Sequence, residues 1–407
     1  MFSSRWVLML AGILGLVTAL PHLLFLYLPA QWPLDVAKHA VGRDFVNLWV
    51  GGRLLAEGHW RTLFDVFAYQ TALHQLFSPL LAPHFWSYPP TSFLLAEPLS
   101  ALPYGAALAL WTLAGLALFA AAARIGFDVE LTWRAIGIAV ITPAVLLNVV
   151  CGQNGFFTAA LMAGGILMLD RRPLTAGVLI GLLSFKPHLG IVLAPALLAL
   201  RAWTAIAAAA ATAVGMVLLS MGLYGIAPWR AFLATTVPLQ ARFLADFEGY
   251  FVNMLVSPYA SLRTFGLAHG PAMVVQSLLA LLVVIACAMA VRRTRDPDVH
   301  LHLVATATFL ATPYALTYDL PIVALLIARR FARFPGTQWT MPQAVLFGSA
   351  WAAPLCSAPL AAVGLPVVPL VMGALFYNAC GPLLELERLR ARVLNSTRFG
   401  TQTSSRL

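Results

Sequence analysis

Residues 203–224 read WTAIAAAAATAVGMVLLSMGLY, an apolar run with no charged side chain. Crossing a hydrocarbon layer of about 30 Å takes roughly 17–25 helical residues, so this run is long enough to span one. Similar segments recur along the chain, at about 6–28, 101–123, 135–150, 155–169, 173–185, 187–200, 272–291, 300–313, 320–330, 340–356 and 359–377. Hydrophobic residues make up 61% of the whole, and the mean hydropathy is +0.85, far above soluble domains. The sequence therefore predicts an all-α polytopic membrane protein with about 11–12 transmembrane or half-membrane helices. A closed β-barrel is excluded, because the runs are continuous and not alternating. The pairs 173–185/187–200 and 300–313/320–330 are short, and each pair reads as half-helices meeting at a polar break. Such a break is tolerated only where protein or a cavity shields the backbone.

The net charge is +10, but the basic residues are scattered over short connectors and form no stripe, so nucleic acid is not an expected partner. They read better as topology signals. With the N-terminus in the cytoplasm, 17 of the 25 lysines and arginines fall on the cytoplasmic side and eight outside, the sign the positive-inside rule requires. The expected organisation is one integral membrane domain over 1–385 and a basic cytoplasmic tail over 386–407. Two long outer loops, 30–100 and 225–271, belong to that domain. The location expected is a bacterial cytoplasmic membrane, with both termini inside. The first apolar stretch exceeds a signal-peptide core of about 7–15 residues and reads as an uncleaved helix. Cys151, Cys287, Cys356 and Cys380 form no CxxC pair and read as buried thiols. No acidic cluster near Asp44 has ligand spacing, so no metal or other cofactor is expected.

The chemistry is expected on the outer side. The stretch KHAVGRDFVNLWVGGRLLAEGHW, residues 38–60, gathers five charges where the first apolar segment has ended. Asp44 precedes a predicted short amphipathic helix with Phe45, Leu48 and Trp49 at helical spacing. It is either the cap of that helix or a carboxylate held at the membrane boundary for use. In YPPTSFLLAEPLSALP, residues 88–103, Pro90 suits a first helical turn, giving a short re-entrant or interfacial helix with Tyr88 at a site mouth. CGQNGFF, residues 151–157, predicts a tight turn whose Gln153 and Asn154 can bond a sugar. In LLSFKPHLGI, residues 182–191, Pro187 breaks the helix beside Lys186. That lysine has no acidic neighbour in sequence, so it either snorkels or, with His188, meets a phosphate. In TPYALTYDLP, residues 312–321, Asp319 either opens a half-helix, binds hydroxyls, or pairs with Lys186 or an arginine. The threading puts all five stretches on one face, so Asp44, Lys186 and Asp319 are expected in one compartment.

These stretches, in this order between about residues 40 and 330, resemble glycosyltransferase family 87, enzymes of the GT-C fold that use polyprenyl-phosphate sugars. The best-known activity of the family is α-1,2-mannosyl transfer. The resemblance implies a transferase working outside the membrane, with a sugar on polyprenyl phosphate as donor and a glycolipid or glycan as acceptor. The family's catalytic acid in the first outer loop maps to Asp44. Its lysine–proline motif maps to Lys186 and Pro187, and its tyrosine–aspartate motif to Tyr318 and Asp319. His188 stands where glutamine is common. An inverting transfer needs a base for the acceptor hydroxyl, which Asp44 supplies. A lipid-phosphate leaving group needs a positive partner, and Lys186, His188 and, as a second choice, Arg53 are the candidates. Gln153, Asn154, Tyr88, Tyr318 and Asp319 are the candidates for sugar and acceptor hydroxyls. The alternatives are a secondary transporter with a broken-helix site around Lys186 and Asp319, for which no matching inverted halves are seen, and a non-enzymatic assembly protein.

Overall fold

The structure is a computed structural model that describes residues 29–334 and 339–381, together with Ile13 and Val17. The expected first helix at 6–28 and the basic tail at 386–407 lie outside the described residues. A small antiparallel pair, β1 (Pro29–Gln31) and β2 (Leu34–Asp35), leads into α1 (Phe45–Ala56), α2 (Val66–Leu76) and α3 (Phe93–Ser100). Phe45, Tyr69, Trp86 and Phe93 are fully buried in the core these elements share. The stretch expected as the first outer loop is therefore a folded layer. The short amphipathic helix expected after Asp44 is α1, with Trp49, Arg53 and Ala56 on its open side. Nine of the twelve residues of α1 are buried, because Gly51 and Gly52 let it press against the Trp86 ring and the Ala96 carbonyl.

The membrane bundle follows. It runs through α4 (Tyr104–Ala123), α5 (Val129–Val140), α6 (Pro143–Cys151), α7 (Gly155–Leu167), α8 (Pro173–Leu182), α9 (Leu193–Ala199) and α10 (Trp203–Tyr224). The second long stretch holds α11 (Val237–Asp246) and α12 (Pro258–Thr264). Last come α13 (His269–Val291), α14 (Pro297–Ala311), α15 (Pro321–Arg333), α16 (Met341–Ala362) and α17 (Val368–Gly381). Among the described residues, α4, α10, α13 and α16 are each long and apolar enough to cross a membrane alone, and α5 with α6 forms a further span bent by 58°. The chain is thus an all-α polytopic membrane protein.

Local chemistry explains where the helices stop. The single segment expected at 135–150 is split because Thr142 caps α6 at Val145 and Pro143 opens it, which starts a helix well but cannot continue one. The boundary expected between 356 and 359 lies further on. Pro359 stays inside α16, and the chain turns at Gly364, where φ is +82°. Both expected half-helix breaks are present, at 183–192 and at 312–320. The central helices α14 and α15 are buried almost throughout and deliver the second break to the middle of the protein. In GVLIG, residues 177–181, the two glycines of α8 lie against the Ala205 and Ala209 carbonyls of α10. This is the small-residue contact by which membrane helices approach closely.

Candidate active site

The turn before Asp44 is tightly built. Asp35 is fully buried and accepts bonds from the Ala37 and His39 amides at 2.8 and 3.0 Å. Its other oxygen pairs with Arg43 at 2.6 Å. That pair holds Arg43 at φ +42°, a region few residues other than glycine adopt. Asp44 comes next. Its amide donates to the Cys151 carbonyl at 3.2 Å, docking the start of α1 on the 151–154 turn. Gly152 makes this docking possible, with φ at +56° and its Cα against the Gly42 carbonyl. Asp44 stands at the cap position of α1, yet its side chain makes no capping bond. The carboxylate instead accepts from Gln153 Nε2 at 2.6 Å. Of the two readings of Asp44 open in the sequence, the geometry removes the side-chain cap.

The breaks at 183–192 and 312–320 meet each other. Lys186 Nζ contacts Asp319 Oδ1 at 2.6 Å, with the lysine buried and the aspartate side chain fully so. Asp319 Oδ2 accepts from the Leu316 amide at 3.1 Å. Both Asp319 oxygens are thus engaged behind Lys186, whose ammonium also lies 5.3 Å from the Tyr318 ring. The His188 ring stands edge-on to Tyr314, with centroids 5.6 Å apart. Asn148 of α6 donates to the Tyr318 carbonyl at 2.9 Å, tying this turn to the helix that ends at Cys151. The second long stretch is pinned here too, through Val256 N to the Ala315 carbonyl and Ser257 Oγ to the Pro313 carbonyl.

Tyr88, Tyr314 and Tyr318 bridge the two halves. Burial raises their hydroxyls above the ordinary tyrosine range, and the charges of Asp44 and Asp319 add to the effect in all three. These phenols stay protonated donors at neutral pH, close to both carboxylates. The charges of Asp44 and Asp319 thus act on the same three phenols.

A cavity of about 330 Å³ opens beside Asp44. Tyr88, Thr91, Ser92 and Asn154 line it with Asp44, and Leu118, Leu161 and Met216, from three membrane helices, continue its wall. Thr91 Oγ1, Asn154 Oδ1 and His188 Nε2 are buried with no hydrogen-bond partner among the described residues. Buried polar atoms are normally paired, so the two orphans on the cavity wall, Thr91 and Asn154, mark a place for a polar ligand. Arg53 is not brought to the site. It lies exposed near the far end of α1, 5.9 Å from the Trp49 ring. Thr91 and Asp35 were not singled out from sequence; a threonine and an aspartate in loop-like segments carry no periodic signal.

A family model described as glycosyltransferase family 87 matches residues 86–313, a narrower segment than the resemblance of about 40–330. No curated protein and no solved structure matches the chain. The matched segment includes Tyr88, Gln153, Asn154, Lys186 and His188, while Asp44, Tyr318 and Asp319 lie outside it. It covers more than half of the sequence, and the chain belongs to glycosyltransferase family 87.

Proposed function

We propose that this membrane glycosyltransferase transfers mannose from a polyprenyl-phosphate donor to a hydroxyl of a cell-envelope glycolipid or glycan, with inversion, on the outer face of the bacterial cytoplasmic membrane. The carrying observation is the uncapped Asp44 carboxylate, aimed by Gln153 and set, with Tyr88, Thr91 and Asn154, on a cavity whose wall is otherwise largely apolar and extends between membrane helices. A lipid-linked sugar has that same division. The excess of basic residues on the opposite side supports the outward placement.

In the proposed step the acceptor oxygen attacks the anomeric carbon and forms the new C–O bond. The bond from that carbon to the phosphate oxygen breaks, and polyprenyl phosphate leaves with the electron pair. Asp44 takes the proton of the acceptor hydroxyl. The departing phosphate is already a good leaving group and needs positive charge more than a proton. Lys186 supplies it: an ammonium has three donors, and Asp319 occupies one of them. The unpaired Nε2 of His188 sits beside it. Asn154, Tyr88 and Tyr318 meet sugar and acceptor hydroxyls, and Asp319 acts through Lys186. Arg53 has no part. The transporter alternative loses its ground with the family assignment.

Purified protein given a panel of polyprenyl-phosphate sugars and envelope lipid extract is expected to yield a mannosylated product, read by mass analysis. Transfer from a sugar nucleotide alone contradicts the donor class. Counterflow uptake in liposomes without transfer contradicts the reading as a whole.

A further inference from the structure

A second cavity, of about 650 Å³, lies away from Asp44. It lies among α14, α15, α16 and α17, at the other end of the two central helices. Pro321 of α15 adjoins the Lys186–Asp319 pair, and Arg330 and Arg333 stand at the far end of that helix, roughly 14–18 Å away at 1.5 Å per residue. Three arginines and two aspartates line this cavity. Arg329 pairs with Asp298 at 2.6 Å, and Arg333 pairs with Asp298 at 2.7 Å and Asp296 at 3.5 Å. Arg330 is left over. Among the described residues no carboxylate lies within ion-pair distance of it, and its guanidinium stacks 4.5 Å from the Phe334 ring.

A second observation points to a ligand. His302 lines the same cavity, is more than nine-tenths buried, and its Nε2 has no hydrogen-bond partner among the described residues. A residual positive charge and an unused imidazole nitrogen thus face one space. Leu301, Leu326 and Leu346 form an apolar part of the wall, Gln343 and Asn378 add amides, and exposed Tyr377 also lines it. A tyrosine at a membrane–water boundary is common. Guanidinium recognises phosphate oxygens by charge and paired donors, and basic pockets between membrane helices hold anionic head groups.

We propose that this second cavity binds a phosphate group through Arg330 and His302, in the leaflet opposite Asp44, with the acyl chains of an anionic phospholipid along its apolar wall. Free inorganic phosphate offers the same chemistry, and the test separates the two. Native mass spectrometry of the full chain in detergent compares phosphatidylglycerol, phosphatidylcholine and inorganic phosphate. Phosphatidylglycerol is expected to bind roughly fivefold tighter than phosphatidylcholine, the effect of about one arginine near an anionic lipid. Arg330→Gln should reduce that preference to near unity, and Asp44→Asn should leave it intact. Saturable retention of inorganic phosphate that Arg330→Gln abolishes assigns the site to soluble phosphate instead. Equal binding of the two lipids with no phosphate retained overturns the proposal, and so does a preference that survives Arg330→Gln. The wild-type comparison stands without any variant, and no arm requires sugar transfer.

Discussion

Exchanging Asp44 for asparagine removes one charge and keeps the side chain's shape, and the amide oxygen still accepts from Gln153. Because Asp44 makes no capping bond, thermal unfolding of Asp44→Asn should match the wild type, while transfer falls about 10²–10⁴-fold. Gln153→Ala releases the carboxylate without discharging it. The expected result is a loss of roughly 10–100-fold in kcat at nearly constant KM, as for a positioning contact. The tyrosines give a pH signature. Burial and neighbouring carboxylates raise the Tyr88 and Tyr314 hydroxyls in the folded protein, whereas the unfolded chain loses those protons near pH 10. Above that pH the folded state holds more protons than the unfolded one. Stability is therefore intact below about pH 10 and falls as pH rises beyond it. Unfolding midpoints followed from about pH 9 to 11 should show that fall, and Tyr88→Phe should shrink it. At this scale the sequence revealed the charged and amide residues, since each is costly or unusual at membrane depth. It concealed Asp35 and Thr91, whose roles come from contacts that no local pattern encodes.

Helix breaks were legible because proline announces them: Pro187 and Pro321 fall where the two breaks are. What the sequence did not decide was whether Lys186 snorkels or pairs, since its partner is 133 positions away. The pair clamps one break to the other. Lys186→Ala leaves a buried carboxylate uncompensated and should cost about 3–5 kcal/mol, read as a lowered unfolding midpoint. Lys186→Met combined with Asp319→Leu should recover much of that stability but no transfer, separating the structural share of the pair from the chemical one. The GVLIG contact makes a similar case. A Cβ on Gly181 would sit 2.5 Å from the Ala209 carbonyl, so Gly181→Val should part α8 from α10 and destabilise by about 1–3 kcal/mol.

Across the whole molecule, the class was legible and the depth of the folded layers was not. Continuous apolar runs announce a helical membrane protein, since lipid leaves the backbone no other open-ended solution. The stretches at 30–100 and 225–271 look like loops because their helices are short and rich in aromatic residues. They fold against each other through contacts such as Phe85 on Phe243, with ring centroids 4.7 Å apart, and Gln240 Nε2 on the Ser87 carbonyl at 2.8 Å. The first carries Asp44 and Tyr88, and the second is pinned to the break that carries Tyr314, Tyr318 and Asp319. The central claim is that this site takes a sugar from a lipid phosphate with Asp44 as base. Its most direct test is one turnover assay, with wild type and Asp44→Asn purified in parallel and given labelled mannosyl polyprenyl phosphate and acceptor lipid. Label should move to the acceptor with inverted anomeric configuration in the wild type, and should stay on the donor in an equally folded Asp44→Asn. Wild-type turnover by that variant, or retained configuration, contradicts the claim.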